Sequence, residues 1–336
     1  MAVQVGGASK RIGLAVSGGG FRAAAFHLGV MRKLKDLKLL DKLDLLSCVS
    51  GGSIAGAFLA ANWAKADVLD RLDTYLRTKS IAVSSVIGGV LDPFATRLDK
   101  LAESYDRDLF HEATLHDLAN GPRVYLNATN LATGNMFFFV AGGDKPEEIG
   151  DYELGVVPAG DFRISRAVAA SSAFPPVFPP LRLMPDVYAH GGNVEYVTLC
   201  DGGVYDNMGI NPVVRARAAL DYVIVSDGGK PFAIDQHPTD AGTLVLKAAL
   251  DIMMEQIRGL EFDRLQHRHL AAAGPKPLWF SIDSKEGEVQ PGDAAFASAI
   301  GTNLRALSDD EMNVLSRQGG GLVESRIRRY APELVA

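Results

Sequence analysis

Cysteine is nearly absent. Cys48 and Cys200 are the only two in 336 residues, too few for a disulfide framework and without the spacing of a metal-ligating pair. Positive charge is also scarce: 34 Lys and Arg stand against 40 Asp and Glu, for a formal net charge of −6. Such a chain has no overall attraction to phosphate backbones, which argues against nucleic acid as a partner. Long apolar runs are missing as well. The most membrane-like stretch, LLSCVSGGSIAGAFLAANWA over 45–64, is broken by glycines, serines and an asparagine, so no transmembrane span is expected. The opening MAVQVGGASKRIGLAVSGGG lacks the pattern of a secretory signal. A cytoplasmic or peripheral membrane location is the resulting expectation. The seven histidines are scattered, and the close pair His267 and His269 is read as part of a solvated helix and not as a metal site.

What is present is a core-forming composition, 47% apolar and 22% charged, which is that of a packed globular protein. Short β-like runs alternate with amphipathic segments, the signature of an α/β fold. Strands are expected at 12–16, 43–49, 123–131, 135–140, within 195–203, within 222–229 and at 278–283. Helices are expected at 22–40, 53–66, 66–78, 211–220 and 243–272. Residues 1–10 read as a flexible tail and 11–336 as one domain, a three-layer α/β/α arrangement around a mainly parallel sheet. The chemistry-bearing motifs fall where strands end, the edge at which open α/β sheets bind ligands.

Three glycine loops carry that chemistry. CVSGGSIAG, at 48–56, puts Ser53 between a strand and a helix with Gly51 two residues before it. This resembles the strained elbow that lifts a nucleophilic serine out of a sheet. The match to G-x-S-x-G departs at the fifth position, where Ala55 stands and Gly56 follows. SGGGFRA, at 17–23, can turn several N–H groups into one concavity at a helix N-terminus, suited to a phosphate or to an oxyanion. Its Gly18, Gly20 and Ala23 also satisfy G-x-G-x-x-A, but the acid a dinucleotide site requires is not at the tip of the second strand; Asp44 lies near its beginning. DGGVYDNMG, at 201–209, sets Asp201 at another strand end, where partial desolvation would raise its proton affinity and suit it as a base. Asp227, in a second SDGG, repeats the pattern.

Taken together these residues resemble the patatin-like phospholipases. The family pattern of a glycine-triplet loop with a basic residue, a serine elbow, an A-S-x-A-x-P-x-x-F-P-P segment and a D-G-G aspartate is matched in order. The matching stretches are SGGGFRAAAFHLGV (17–30), SGGSIAG (50–56), AASSAFPPVFPP (169–180) and DGGVYDNMGINP (201–212). The resemblance implies a lipid acyl hydrolase with Ser53 as nucleophile and Asp201 as base, and Asp201 in preference to Asp227 because YDNMGINP follows it. It implies an oxyanion hole from Gly18, Gly19 and Gly20 with Arg22 beside them, and an elbow of Gly51, Gly52, Ala55 and Gly56. The implied substrate is a lipid ester at a membrane or micelle surface, with no metal and no organic cofactor, and a base that titrates well below neutrality. Ser17, at a position often acidic, and Ala23, in place of a glycine, depart from the pattern.

Four rivals stand beside this reading. One is a Ser–Asp–His hydrolase using His237, His267 or His269. The others are a nucleotide-binding protein built on SGGGFRA, a lipid-binding module without turnover, and an acyltransferase with the same dyad. His27 is expected to pack against the sheet, and Ser171 and Ser172 to form part of a proline-defined wall. IAVSSVIGGVLDPF, at 81–94, has the composition of a lid. Leu246, Leu250, Met253, Ile257 and Leu260, at helical spacing, are expected to face the core.

Overall fold

The computed structural model describes residues 3–81, 97–234, 236–238 and 240–335; apart from Ile81, the lid-like stretch 81–94 lies outside them. The expected N-terminal tail is instead a hairpin of β1 (Val3–Val5) and β2 (Ala8–Lys10), with Val3 buried against the core. Next come β3 (Ile12–Val16), α1 (Gly20–Asp36), β4 (Leu43–Val49), α2 (Gly51–Ala61), α3 (Val68–Thr78) and α4 (Arg97–Tyr105). Four strands follow, β5 (Arg123–Asn130), β6 (Asn135–Ala141), β7 (Glu148–Asp151) and β8 (Gly155–Pro158). Beyond them lie α5 (Ile164–Ser171), β9 (Leu181–Leu183), β10 (Val197–Asp201), α6 (Gly203–Asp206), α7 (Asn211–Val214) and β11 (Tyr222–Asp227). The chain closes with α8 (Gly242–Leu270), β12 (Lys276–Ser281), α9 (Asp293–Ala299) and α10 (Asp309–Tyr330).

The central sheet runs β12-β11-β3-β4-β5-β6-β7-β8. It is parallel from β12 to β5 and antiparallel from β5 to β8. The parallel strands are continuous apolar runs because both faces are covered. Leu14 and Val16 face a core shared with α1, α2 and α10, while Ala15, Val223 and Val225 face Met208, Val213 and Leu265 from the α6–α8 side. α10 opens on a Ser308/Glu311 capping box and lies very close to α1: a Cβ on Gly29 would stand 2.0 Å from the Ser316 carbonyl oxygen. The helix expected at 211–220 is cut to Asn211–Val214.

One local feature of the sheet places the site. β4 stops at Val49, opposite Asn127 of β5, and the chain turns up into α2. The vacated length of the same β5 edge is filled by β10, which runs the other way and stops with Asp201 opposite Ala128. Two strand ends therefore meet head-on at adjacent positions of β5. No helix among the described residues is long and apolar enough to cross a membrane; the 45–64 stretch is divided between β4 and α2. The apolar stripe of α8 does not face the core. Leu246 and Leu260 are each 68% exposed and Met253 is exposed, because α8 touches the sheet only near its C-terminal end, where Leu265 is buried.

Candidate active site

The residue between β4 and α2 is Ser50. Its backbone lies at φ 51 and ψ −115, a conformation costly for any residue with a Cβ and the one by which an elbow lifts a side chain above a sheet. Ser53 is the third residue of α2, already inside the helix, so the elbow lies three residues earlier than the sequence reading put it. The Ser53 hydroxyl meets the Ser171 hydroxyl at 2.7 Å, and it is Ser50 whose hydroxyl acts on Asp201. Ser171 gives its own hydrogen to the Asn127 carbonyl at 2.6 Å and accepts the Ser50 N–H at 3.0 Å, so Ser53 is the donor in that pair. Ser53 and Ser171 together brace the elbow from below.

Small residues make the elbow possible. A Cβ on Gly51 would stand 2.2 Å from the Gly20 carbonyl oxygen, and one on Gly52 would stand 2.4 Å from that of Val16. The Gly52 N–H is bonded to the Ser17 carbonyl at 3.1 Å. Ala55 is buried in the core, and Gly56 lets α2 settle onto Cys48, whose Sγ would be 2.3 Å from an added Cβ.

Asp201 is buried at the end of β10. The Gly203 N–H donates to its Oδ1 at 2.7 Å, and the Ser50 hydroxyl is the other group that favours its ionised form. Burial outweighs both and pushes the carboxyl up to about 7, not well below neutrality as the resemblance implied. No cation is paired with it among the described residues. Asp227 differs: at the end of β11 it is ion-paired with Arg258 at 2.6 Å and accepts the Gly229 N–H at 3.0 Å.

The glycine triplet divides its work. The Gly18 N–H is used, bonded to the Asn207 carbonyl at 3.0 Å, and a Cβ on Gly18 would stand 3.1 Å from that of Ser50. Gly18 is therefore tightly packed, with its N–H already engaged. Gly19 and Gly20 have φ of 139 and 62, which glycine adopts freely. Their N–H groups, with that of Gly51 after the elbow, meet no acceptor among the described residues. These three donors flank Ser50. Arg22 does not join them: its guanidinium is fully buried and bonded to the carbonyls of Gly228, at 3.1 Å, and Ile300, at 2.8 Å. Burial lowers it to about 10, an effect that Asp227 opposes.

His27 lies beneath the loop. Its Nε2 is 3.0 Å from the Ser17 carbonyl, so that nitrogen carries the hydrogen, and Nδ1 accepts from the Ser226 hydroxyl at 2.8 Å. Burial lowers the imidazole to about 4 and it stays neutral. Asp44 is bonded to Arg11 and to the Ile12 N–H at the far edge of the sheet, where it cannot serve a nucleotide on the glycine loop. His267 and His269 occupy the last turn of α8, at that same far edge. Among the described residues no three His, Cys, Asp or Glu side chains converge to hold a metal.

Sequence reasoning missed Ser50, Ser171 and the Gly51 N–H. A signal for Ser50 was available. Read with Ser50 at its centre, the motif has Gly52 in place and departs only at Cys48, and an elbow must follow directly on the last strand residue.

The Patatin-like phospholipase family model matches residues 14–214. Among solved structures, human GIVD cytosolic phospholipase A2 is similar at a TM-score of 0.66 and 13% identity, over 97% of this chain and 60% of that one. The same human protein in complex with methyl gamma-linolenyl fluorophosphonate is similar at a TM-score of 0.59, again at 13% identity, over 97% and 58%. The chain thus spans about three fifths of the length of that relative. No curated protein matches in sequence. The mixed sheet between helices agrees with these neighbours, and the family match covers more than half of the chain. This chain belongs to the patatin-like phospholipase family.

Proposed function

We propose that the protein is a carboxylic ester hydrolase acting on lipid acyl esters, with Ser50 as nucleophile and Asp201 as general base. The carrying observation is the head-on meeting of β4 and β10 on one edge of β5, where an elbow serine stands beside a buried carboxylate that meets no cation among the described residues. Ser50 Oγ attacks the ester carbonyl while Asp201 takes its proton. The N–H groups of Gly19, Gly20 and Gly51 receive the oxyanion, an arrangement in which losing one donor costs on the order of 10²–10³ in rate. The leaving alcohol takes the proton from Asp201, and water, deprotonated in turn by Asp201, releases the acyl group from Ser50. A base held near 7 by burial is half ionised at neutral pH and strong enough to accept a hydroxyl proton. The family supports a lipid substrate; our reading puts the encounter at a membrane or micelle surface, where lipid esters collect.

Labelling with a fluorophosphonate and peptide mapping tests the reading, since such an inhibitor has been captured on the human relative. One adduct on Ser50 is expected, lost in Ser50→Ala, together with a fall in ester hydrolysis of at least about 10⁴-fold. Ser53→Ala is expected to keep its label and to stay within about tenfold of the parent activity, because Ser53 acts only through Ser171. An adduct on Ser53, or an unlabelled protein that still hydrolyses esters, would overturn the assignment.

A further inference from the structure

α8 is 29 residues long, yet Leu265 is its one buried residue among those described. The reason lies in the register. Leu265 and Phe262 pack at mid-strand level, Phe262 with its ring 4.8 Å from that of Trp279. Arg258 reaches Asp227 at the very end of β11. The preceding turns, from Gly242 to Ile257, therefore stand beyond the strand ends by about 24 Å at 1.5 Å per residue. They rise from the edge that carries Ser50, Asp201 and the glycine loop.

This protruding half is apolar nearly all round. Leu244, Leu246, Ile252 and Met253 are exposed on different sides of it, a pattern otherwise found in helices that are enclosed. Other apolar side chains surface at the same edge: Leu131 just past β5, Met184 just past β9, and Phe232 and Ile234 just past β11. Charge on this half is internally consumed. Lys247 pairs with Asp251, and Glu255 with Arg258, which also holds Asp227. The one cation between Gly242 and Ile257, Lys247, is therefore occupied, and Lys230, two residues before Phe232, is exposed at this edge.

We infer that the first half of α8, with the apolar tips beside the site, docks onto the surface of a zwitterionic lipid assembly and holds the Ser50 edge against it. The inference rests on the lipid acyl hydrolase reading for the occupant but not for the geometry. Apolar exposure supplies the binding, and a single exposed cation beside it, Lys230, sets it apart from the clusters of basic residues that recruit proteins electrostatically to anionic membranes.

Co-sedimentation with phosphatidylcholine vesicles tests it, using the full chain and the double variant Leu246→Glu, Met253→Glu. Vesicle partitioning is expected to fall at least about tenfold, while hydrolysis of a soluble short-chain ester stays within about twofold. The serine pair Leu246→Ser, Met253→Ser, with the same thermal midpoint as the parent, should also lose most binding. Parent-like sedimentation of both variants would overturn the inference. So would binding that appears only with phosphatidylglycerol, or a parent dimer in analytical ultracentrifugation that the double variant dissociates. If the soluble ester is not cleaved but vesicle binding still depends on Leu246 and Met253, the hydrolase reading fails and the docking surface stands.

Discussion

Replacing Asp201 with asparagine separates what this carboxylate does for catalysis from what it does to stability. In the unfolded chain an aspartate ionises near 3.8; in the folded protein burial raises Asp201 to about 7. A raised acid contributes its full stability below the unfolded value and loses it as pH climbs through the folded one. The shift is about three pH units, each about 1.4 kcal/mol, so the folded state carries a penalty of about 4 kcal/mol at pH 8. At pH 5 the same arithmetic leaves about 2 kcal/mol. The asparagine side chain would keep an oxygen for the Gly203 N–H and carry no charge. The stabilising effect of Asp201→Asn is therefore expected to be larger at pH 8 than at pH 5 by roughly 2–3 kcal/mol. Urea unfolding at the two pH values measures this difference directly, provided the dependence on urea concentration is unchanged. Ester hydrolysis should be lost at both, and the parent activity should rise through a single titration near pH 7. An equal effect of the substitution at pH 5 and pH 8 would refute the reasoning, since it would mean that Asp201 is already ionised in the folded protein at pH 5.

Two further substitutions probe the supports of the site. Gly51→Ala would drive a Cβ to within 2.2 Å of the Gly20 carbonyl; a loss of roughly 2–4 kcal/mol in chemical denaturation is expected, with activity falling further than stability because the donor loop is displaced. His27→Ala would leave the Ser226 hydroxyl without its acceptor and open a cavity under the loop, for a cost of roughly 2–4 kcal/mol. The pH–rate profile of that variant should keep the titration near 7, because the imidazole stays neutral down to about 4; a profile that loses this limb would make His27 the base.

The regular elements were legible where apolar runs end at strong punctuation. Ile12–Val16, Leu43–Val49 and Tyr222–Asp227 end at serine or aspartate followed by glycine; the first two fall on the expected residues and the third within the expected stretch. The helix expected at 211–220 stops at Val214, though nothing in its periodicity marks that end. The stripe on α8 was correctly read as helical and wrongly placed in the core. Periodicity reports that a helix has an apolar face, and only the position of α8 along β11 decides whether anything covers it.

Sequence alone determined that a serine elbow, a glycine loop and an aspartate stand at the strand ends of one α/β sheet, because glycine, strand punctuation and order along the chain carry that information locally. Tertiary structure decided which serine occupies the elbow, since that depends on where β4 leaves β5. It also decided that the Gly18 N–H is engaged while those of Gly19 and Gly20 meet no acceptor among the described residues, because the Asn207 carbonyl comes from 189 residues further on. The proton affinity of Asp201 follows from the slot that β10 fills beside β4. Burial is a property of that meeting of two distant strand ends, and no stretch of the chain contains it.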